Sequence, residues 1–596
     1  MKMVSKTKFS LCLTLIFLLQ LLSATDLDIE KSNKGYQVKI TKNDQVLLHS
    51  PKQGLWRIAT GWKDRWPADW KNFHPQTKSI EGDWTILEGE FKIKEGILKI
   101  KDSYKKSGDR IKCIRRYEWS GDRSLEEVTL SIDWQSRAHN NNVLLPGILY
   151  YGNPSGAENG KNRVPVFTGQ TGEQALFEEH RFSMPFASVE WQDNKKHYGA
   201  ALHSTPSPVP FANKNDLWWS LGVKSTDQGN ALQMLSGPCT YNGKKSVVKA
   251  QQTNYLNYNK AYINLPDGAI IEKTFYIEGF EVEQKGSGFI QPIKKALELH
   301  QPYFDDAFPD FETIINSKLK FADTRWISGH DYSGYCMYPV EARREIVMGW
   351  CGQAASPGYA LQLLNQNYND RISIEKIQSS LDFLTNSPIN EQGYHVRFYP
   401  ADDKWSGQDF VSQGQGMYNF AKAIQAGRKH DQVNTEKWEK FLKEVSQVHS
   451  KRILQDDWKP VSTNQGFVAA PLFIASNLFD NPTFQKAALK VVEHYGDRHL
   501  NMDEPYWGGT LDATCEDKEG AWAGFQAFLY AYKYSGQEKY LKWAEHAAYA
   551  ALSYTVIWNI PLPPGRLANH NFKTRGWTVV SPQNQHVDVY GVLIAP

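Results

Sequence analysis

One change of rhythm divides this chain. From about residue 27 to 285 the apolar residues recur at every second position. Val128, Leu130, Ile132 and Trp134 alternate with Thr129, Ser131 and Asp133. Phe91 and Ile93 alternate with Lys92 and Lys94, and Leu98 and Ile100 with Lys99 and Lys101. An apolar face backed by a charged one is the pattern of half-buried antiparallel strands. Runs of this kind, separated by Gly- and Asn-rich turns, predict a large β-sandwich over residues 25–288.

The spacing then becomes helical. Residues 289–307 contain PIKKALELHQ and read as a linker helix. Candidate helices follow near 309–325, 352–366, 374–385, 409–427, 435–454, 464–478, 482–499, 517–534 and 538–555. Several form pairs. The first member is apolar throughout, as in NQGFVAAPLFIASNLF, and the second has a polar face, as in FQKAALKVVEHYGDRHL. A helix buried all round, alternating with an amphipathic one, predicts an inner and an outer ring. The expected class is therefore α+β multidomain: an N-terminal antiparallel β-sandwich followed, over 308–596, by an (α/α) toroid of the six-pair type. The candidates fall short of twelve helices, although His586 to Ala595 reads as the start of another inner one. Either the ring is incomplete or the chain is a C-terminally shortened form.

Residues 1–24 read as a cleavable secretory signal. Lys2, Lys6 and Lys8 precede the apolar run FSLCLTLIFLLQLL, and Ser23 and Ala24 offer small residues for cleavage. The run is shorter than a membrane span needs and Gln20 interrupts it, so no membrane insertion is expected. The mature protein is expected to be periplasmic or secreted. Lys plus Arg number 68 against 65 Asp plus Glu, and those three lysines account for the whole excess. A neutral mature chain argues against a nucleic-acid partner. The chain holds 20 Trp, 29 Tyr and 28 Phe, more flat amphipathic rings than cores use, and sugar faces stack on such rings. Outside the signal the cysteines are Cys113, Cys239, Cys336, Cys351 and Cys515, with no CxxC spacing. An odd number leaves at least one unpaired within the chain. The expectation is buried thiols acting as small hydrophobes. Cys336 and Cys351 could be bridged, and no spacing in the sequence decides it. No cofactor is expected. A structural zinc or calcium ion in the β-region has no ligand spacing to announce it. Nothing in the sequence sets an oligomeric state.

Polar and aromatic residues crowd the segments entering the candidate inner helices. The segment 328–353 holds His330, Tyr335, Trp350 and Gln353. In YHVRFYP, His395, Arg397 and Tyr399 alternate with Val396 and Phe398, so an extended strand points all three one way. Asp409 and Gln413 stand four apart, on one face of a helix. Asp409 also fits a helix cap, since SGQD precedes an apolar run. The segment 504–522 holds Trp507, Asp512 and Glu516, the last also suited to a helix's first turn. The segment 566–577 holds His570 and Asn571. Loops at the ends of one helical ring would converge on one cleft. No phosphate loop, dinucleotide fingerprint, GxSxG or HExxH occurs.

With this layout, the segments GLWRIATGWKDRWPADW, MGWCGQAASPGYALQLL and EPYWGGTLDATCEDKEGAW resemble secreted uronate-processing enzymes of Bacteroidetes polysaccharide-utilisation loci. The chain looks similar to ulvan-oligosaccharide dehydratases and to related β-glucuronidases of glycoside hydrolase family 154. The resemblance implies an acidic oligosaccharide substrate ending in glucuronic or iduronic acid. It also implies β-elimination as a chemistry, most simply dehydration of the non-reducing-end uronate.

That chemistry needs a donor set to quench the carboxylate, a base at the α carbon and an acid for the departing oxygen. His395 as base, Arg397 as clamp and Tyr399 as acid meet the demand, with His330 or Tyr335 as alternates. Gln353, His570 and Asn571 would add donors, and Trp350 and Trp507 would add stacking surface. A polysaccharide lyase would use the same set with a sugar as leaving group. A glucuronidase-type hydrolase needs instead a carboxylate pair, for which Asp409, Asp512 and Glu516 are the candidates. A non-catalytic glycan-binding protein is the last reading. Neutral net charge favours exo action on short fragments over capture of a long polyanion.

Overall fold

The computed structural model describes residues 25–154, 164–251, 254–301, 309–349, 355–367, 371–460, 462–502, 515–582 and 587–588. The chain forms two compact units. One comprises residues 1–302, 501–505 and 552–591, and the other 303–500, 506–551 and 592–596.

The first unit holds two large antiparallel sheets. In one, Gln45–His49, Leu125–Gln135, Gly229–Leu235, Ser220–Thr226 and Gln174–Glu178 are hydrogen-bonded in that order. Trp56–Lys63 also pairs with Leu125–Gln135 and carries Trp66–Phe73 beside it. In the other, the order is Phe186–Asp193, Lys196–Ser204, Ile270–Val282, Arg110–Gly121, Gly96–Ser107 and Trp84–Ile93. One hydrophobic cluster takes Leu130, Ile132, Trp134 and Met234 from the first sheet and Leu98, Ile100, Phe275 and Ile277 from the second. The arrangement is therefore sandwich-like, and each such buried side chain contributes about 1.5–3 kcal/mol. The expected alternation is plain in Gly96–Ser107, where Leu98, Ile100 and Tyr104 are buried and Ile97 and Lys99 exposed. It fails in one place. In Leu125–Gln135 the polar partners Thr129, Ser131, Asp133 and Gln135 are buried as well. The face predicted to meet water is covered there.

The sandwich also encloses charge. Arg115 and Asp102, both fully buried, form a two-pronged ion pair at 2.7 Å through each prong. The Tyr104 hydroxyl donates to Asp102 at 2.7 Å. Cys113, Cys239, Cys336 and Cys515 are buried, and Cys351 lies outside the described residues.

The second unit is helical, as the change of spacing predicts. Ala469–Leu478 is buried all round from Ala469 to Ser476. Phe410–His430 buries most of its length. By contrast Glu436–Ile453 buries one stripe, through Trp438, Phe441, Leu442, Val445, His449 and Ile453. From Ile374–Leu384 to Glu538–Leu552, amphipathic and mostly buried helices alternate. Among the described residues no helix is long and apolar enough to cross a membrane.

The chain after Ala551 departs from the division at residue 308. Residues 552–591 group with the sheets. The Tyr150 ring stacks on Tyr554 with centroids 4.5 Å apart. Ser183 donates to the carbonyl of Ser553, and the Trp558 indole to that of Phe182 at 3.1 Å. Within the stretch expected to begin another helix, Val587–Asp588 is instead a strand paired with Thr578–Val579. The proposed signal, residues 1–24, lies outside the described residues.

Candidate functional site

Phe410–His430, the 3-10 turn Thr463–Val468 that leads into Ala469–Leu478, and Lys518–Ser535 meet near their N-terminal ends. Val411, Phe467 and Ala523 form one apolar cluster, with Trp522 packed against it. The Phe467 and Trp522 rings meet edge to face at 4.8 Å. Over this end lies a small antiparallel sheet in which Ile346–Val347 pairs with Arg397–Tyr399, and Arg397–Tyr399 with Lys404–Ser406. Two glycines let it sit close. Gly349 has φ +79°, and a Cβ there would come within 2.1 Å of the Ser412 carbonyl oxygen. Gly393 has φ +109°, and a Cβ there would strike the Gln413 side chain. Side chains at either point would lift the sheet off the Phe410–His430 helix.

The alternation in YHVRFYP survives folding. Tyr394, Val396 and Phe398 are buried. Phe398 packs on Phe383 and Tyr394 on Phe441, both from amphipathic helices. His395, Arg397 and Tyr399 are half-buried on the opposite face. They are thus turned away from those helices.

On that face sits a residue missed in the sequence. Glu345 is fully buried, 2.7 Å from Arg343 Nε and 3.6 Å from Arg397 Nη1. Arg343 Nη2 donates to the Tyr399 hydroxyl oxygen at 3.2 Å. Its guanidinium also lies 5.4 Å from the Tyr338 ring centroid. Two guanidiniums therefore meet at one carboxylate, beside a phenol. The only sequence signal was a carboxylate two residues after Arg343, at the edge of Ile346–Val347. His395 Nδ1 is buried with no hydrogen-bond partner among the described residues. Its backbone is held by Pro388, which accepts from its N–H at 3.3 Å, and by the Ser387 hydroxyl, which donates to its carbonyl at 2.6 Å.

Other candidates are placed differently. Asp409 caps the Phe410–His430 helix, its side chain accepting from the Ser412 N–H at 2.8 Å. Gln413 is committed to the interior, donating to the Gln392 and Gln408 carbonyls at 3.2 and 3.0 Å. His449 Nε2 lies 2.9 Å from Gln413 Oε1, and Arg452 Nη2 lies 3.2 Å from His449 Nδ1. Burial lowers the His449 pKa to about 3, with the Arg452 charge adding to it. Glu516 is fully buried just before Asp517, which caps Lys518–Ser535.

His330 is exposed and hydrogen-bonded to Asp331 at 2.7 Å. It lines a groove of 570 Å³ with Lys376, Ser379, Asp382 and Lys437, from amphipathic helices. Its neighbour Tyr332 packs on Phe398, the side of the strand opposite Arg397. His330 therefore belongs to another surface. Tyr335 is buried against Trp326, and burial pushes its hydroxyl well above the usual phenol range. Neither alternate shares the face of Arg397. His570 and Asn571 are exposed in the other unit, because the chain after Ala551 rejoins the sheets. Trp350, Gln353, Trp507 and Asp512 lie outside the described residues. Among the described residues no group of three or more His, Cys, Asp or Glu is placed to hold a metal ion.

No family model matches this chain, and no curated protein matches it. Solved structures similar to it include a polysaccharide lyase, at 10% identity over 89% of this chain and 83% of that one, with TM-score 0.37. A GH92 α-mannosidase from Bacteroides thetaiotaomicron is similar at 9% identity over 88% of this chain and 77% of its own, with TM-score 0.23. A GH76 α-mannanase from the same organism is similar at 11% identity over 42% of this chain and 68% of its own, with TM-score 0.29.

Proposed function

We propose that this chain is a secreted or periplasmic carbohydrate-active enzyme that acts on uronate-ended, ulvan-type oligosaccharides by β-elimination. Its helical unit is read as an (α/α) toroid, with the buried helices inside and the chemistry at their N-terminal end. The observation that carries the reading is the Arg343–Tyr399 hydrogen bond of 3.2 Å on the face that also bears Arg397 and His395.

Removing the proton beside a carboxylate is difficult because charge builds on a group already anionic. Arg343 and Arg397, which both pair with Glu345, offer positive charge that quenches it. His395 then takes the proton from the carbon bearing the carboxylate. The electrons of that C–H bond form a double bond to the next ring carbon, whose C–O bond breaks. Tyr399, with its oxygen accepting from Arg343, gives its proton to the departing oxygen. Water leaves in a dehydration, and a shortened sugar chain leaves in a lyase reaction.

The test is incubation with uronate-ended oligosaccharides, followed by mass and ultraviolet absorbance. New absorbance with loss of 18 mass units, roughly one water, supports dehydration; absorbance with shortened chains supports a lyase reaction. Added water without absorbance would replace elimination by hydrolysis. Exo action predicts faster turnover on short fragments than on intact polymer.

A further inference from the structure

We propose that the sheet-bearing unit carries a separate binding site for an acidic saccharide unit, one bearing a carboxylate or sulfate. It lies in a cavity of 430 Å³ on the sheet face turned away from the sandwich core. This site does not depend on the chemistry read for the helical unit.

The register builds the cavity. Ser131 stands opposite Arg57, and Gln135 opposite Ala231, which in turn stands opposite Lys224. Side chains directly opposite on paired strands share a face. Ile132, Trp134, Leu232 and Val223 point into the core cluster. Arg57, Asp133, Gln135 and Lys224 therefore point out of it, and all four line the cavity with Trp70. Ala231, short between Gln135 and Lys224, leaves the dent.

The acceptors here are held and the donors are unspent. Ser131 Oγ and Gln233 Nε2 both donate to the Asp133 carboxylate. Gln233 is held in turn by Gln174, which donates to it at 2.9 Å. Gln135 accepts from Thr226 at 3.2 Å and donates to the Ser136 carbonyl at 3.1 Å. The Arg57 guanidinium lies 3.9 Å from the Trp70 ring centroid, while Asp133 reaches it only at 4.0 Å. Among the described residues its N–H groups make no hydrogen bond. The Lys224 ammonium makes no hydrogen bond or ion pair among the described residues. Burial lowers its pKa, and the Arg57 charge lowers it further against the pull of Asp133. Two cations thus repel across one cavity, and a bound anion would relieve both.

Asp227 lines the same cavity and is exposed at its rim, so the anionic group belongs at the Arg57–Lys224 side. Sugar hydroxyls would find acceptors in Asp133 and Gln135. The volume lies in the range of small-molecule sites, about 300–1,000 Å³.

The test uses the full chain carrying Arg397→Gln, which weakens the site read in the helical unit. Calorimetry is run with a uronate-containing tetrasaccharide, a sulfated tetrasaccharide and the neutral tetrasaccharide cellotetraose. The expected result is saturable binding of at least one acidic probe, with cellotetraose at least roughly tenfold weaker, a cost typical of losing a charged contact. Adding Lys224→Gln should weaken the acidic probe by about tenfold or more at unchanged melting temperature, since that side chain holds nothing in the fold. Equal affinity with and without Lys224→Gln, equal affinity for the neutral probe, or no acidic binding at all would each overturn the proposal. Absence of elimination activity would leave these outcomes untouched.

Discussion

Arg343 donates to the oxygen of Tyr399 at 3.2 Å, which occupies a lone pair of the phenol and leaves its proton as the one to give away. In the proposed elimination this phenol is the acid, so its loss should be felt in the chemical step. Tyr399→Phe is expected to lower kcat on uronate-ended substrates by about 10²–10⁴-fold with little change in KM. Initial rates by ultraviolet absorbance read both. A higher KM at constant kcat would make Tyr399 a binding residue only.

Asp409 separates capping from catalysis. Its carboxylate satisfies the Ser412 N–H at the head of a long helix. Asp409→Ala should cost about 1 kcal/mol of stability, and Asp409→Asn much less. Urea titration measures the difference. Turnover below the melting transition should be unchanged in both variants. Lost turnover in Asp409→Asn at wild-type stability would give the carboxylate a chemical role.

How much of this was readable in advance depended on whether a residue's role is local. The strands of the first unit follow from Lys99 and Lys101 alternating with Leu98 and Ile100, because a long cation is costly between sheets unless a buried carboxylate meets it, as Asp102 meets Arg115. The face of His395, Arg397 and Tyr399 follows from Val396 and Phe398 in the same way. Glu345 escaped because its partner Arg397 lies more than 50 residues away, across a strand pairing that no period announces. His330 escaped differently: a loop residue carries no sign of which wall it will face. Ser131, Asp133 and Gln135 had a signal that was misread. Ser131 and Asp133 are shorter than the Lys and Glu of a solvated strand face, and small hydrogen-bonding residues at alternate positions suit a covered polar surface.

Acid should find His449. Its folded pKa is about 3, set by burial and then by Arg452, against the ordinary imidazole value of 6.5 in the unfolded chain. The unfolded chain takes up a proton between those values and the folded chain does not. Stability is therefore full above pH 6.5 and falls as the pH drops towards 3. One such group contributes a slope of about 1.4 kcal/mol per pH unit within the window. His449→Gln should flatten the pH dependence of the urea-derived stability between about pH 4 and 6 by roughly that amount. An identical slope in the variant would show that His449 is not what acid attacks.

The Asp102–Arg115 pair offers a test of the sandwich itself. Both groups are fully buried, so removing one leaves the other charged and unmatched. Asp102→Asn is expected to cost about 3–5 kcal/mol, and Asp102→Leu combined with Arg115→Met less than that. Denaturant midpoints on the three proteins decide it. A double variant weaker than Asp102→Asn would show that the pair does more than neutralise itself.

The return of residues 552–591 to the sheets also orders the birth of the molecule. A ribosome releases the strands of the first unit early, but the Tyr554 ring that stacks on Tyr150 emerges hundreds of residues later. The nascent sandwich must wait, unfinished at that edge, while the whole helical stretch is synthesised.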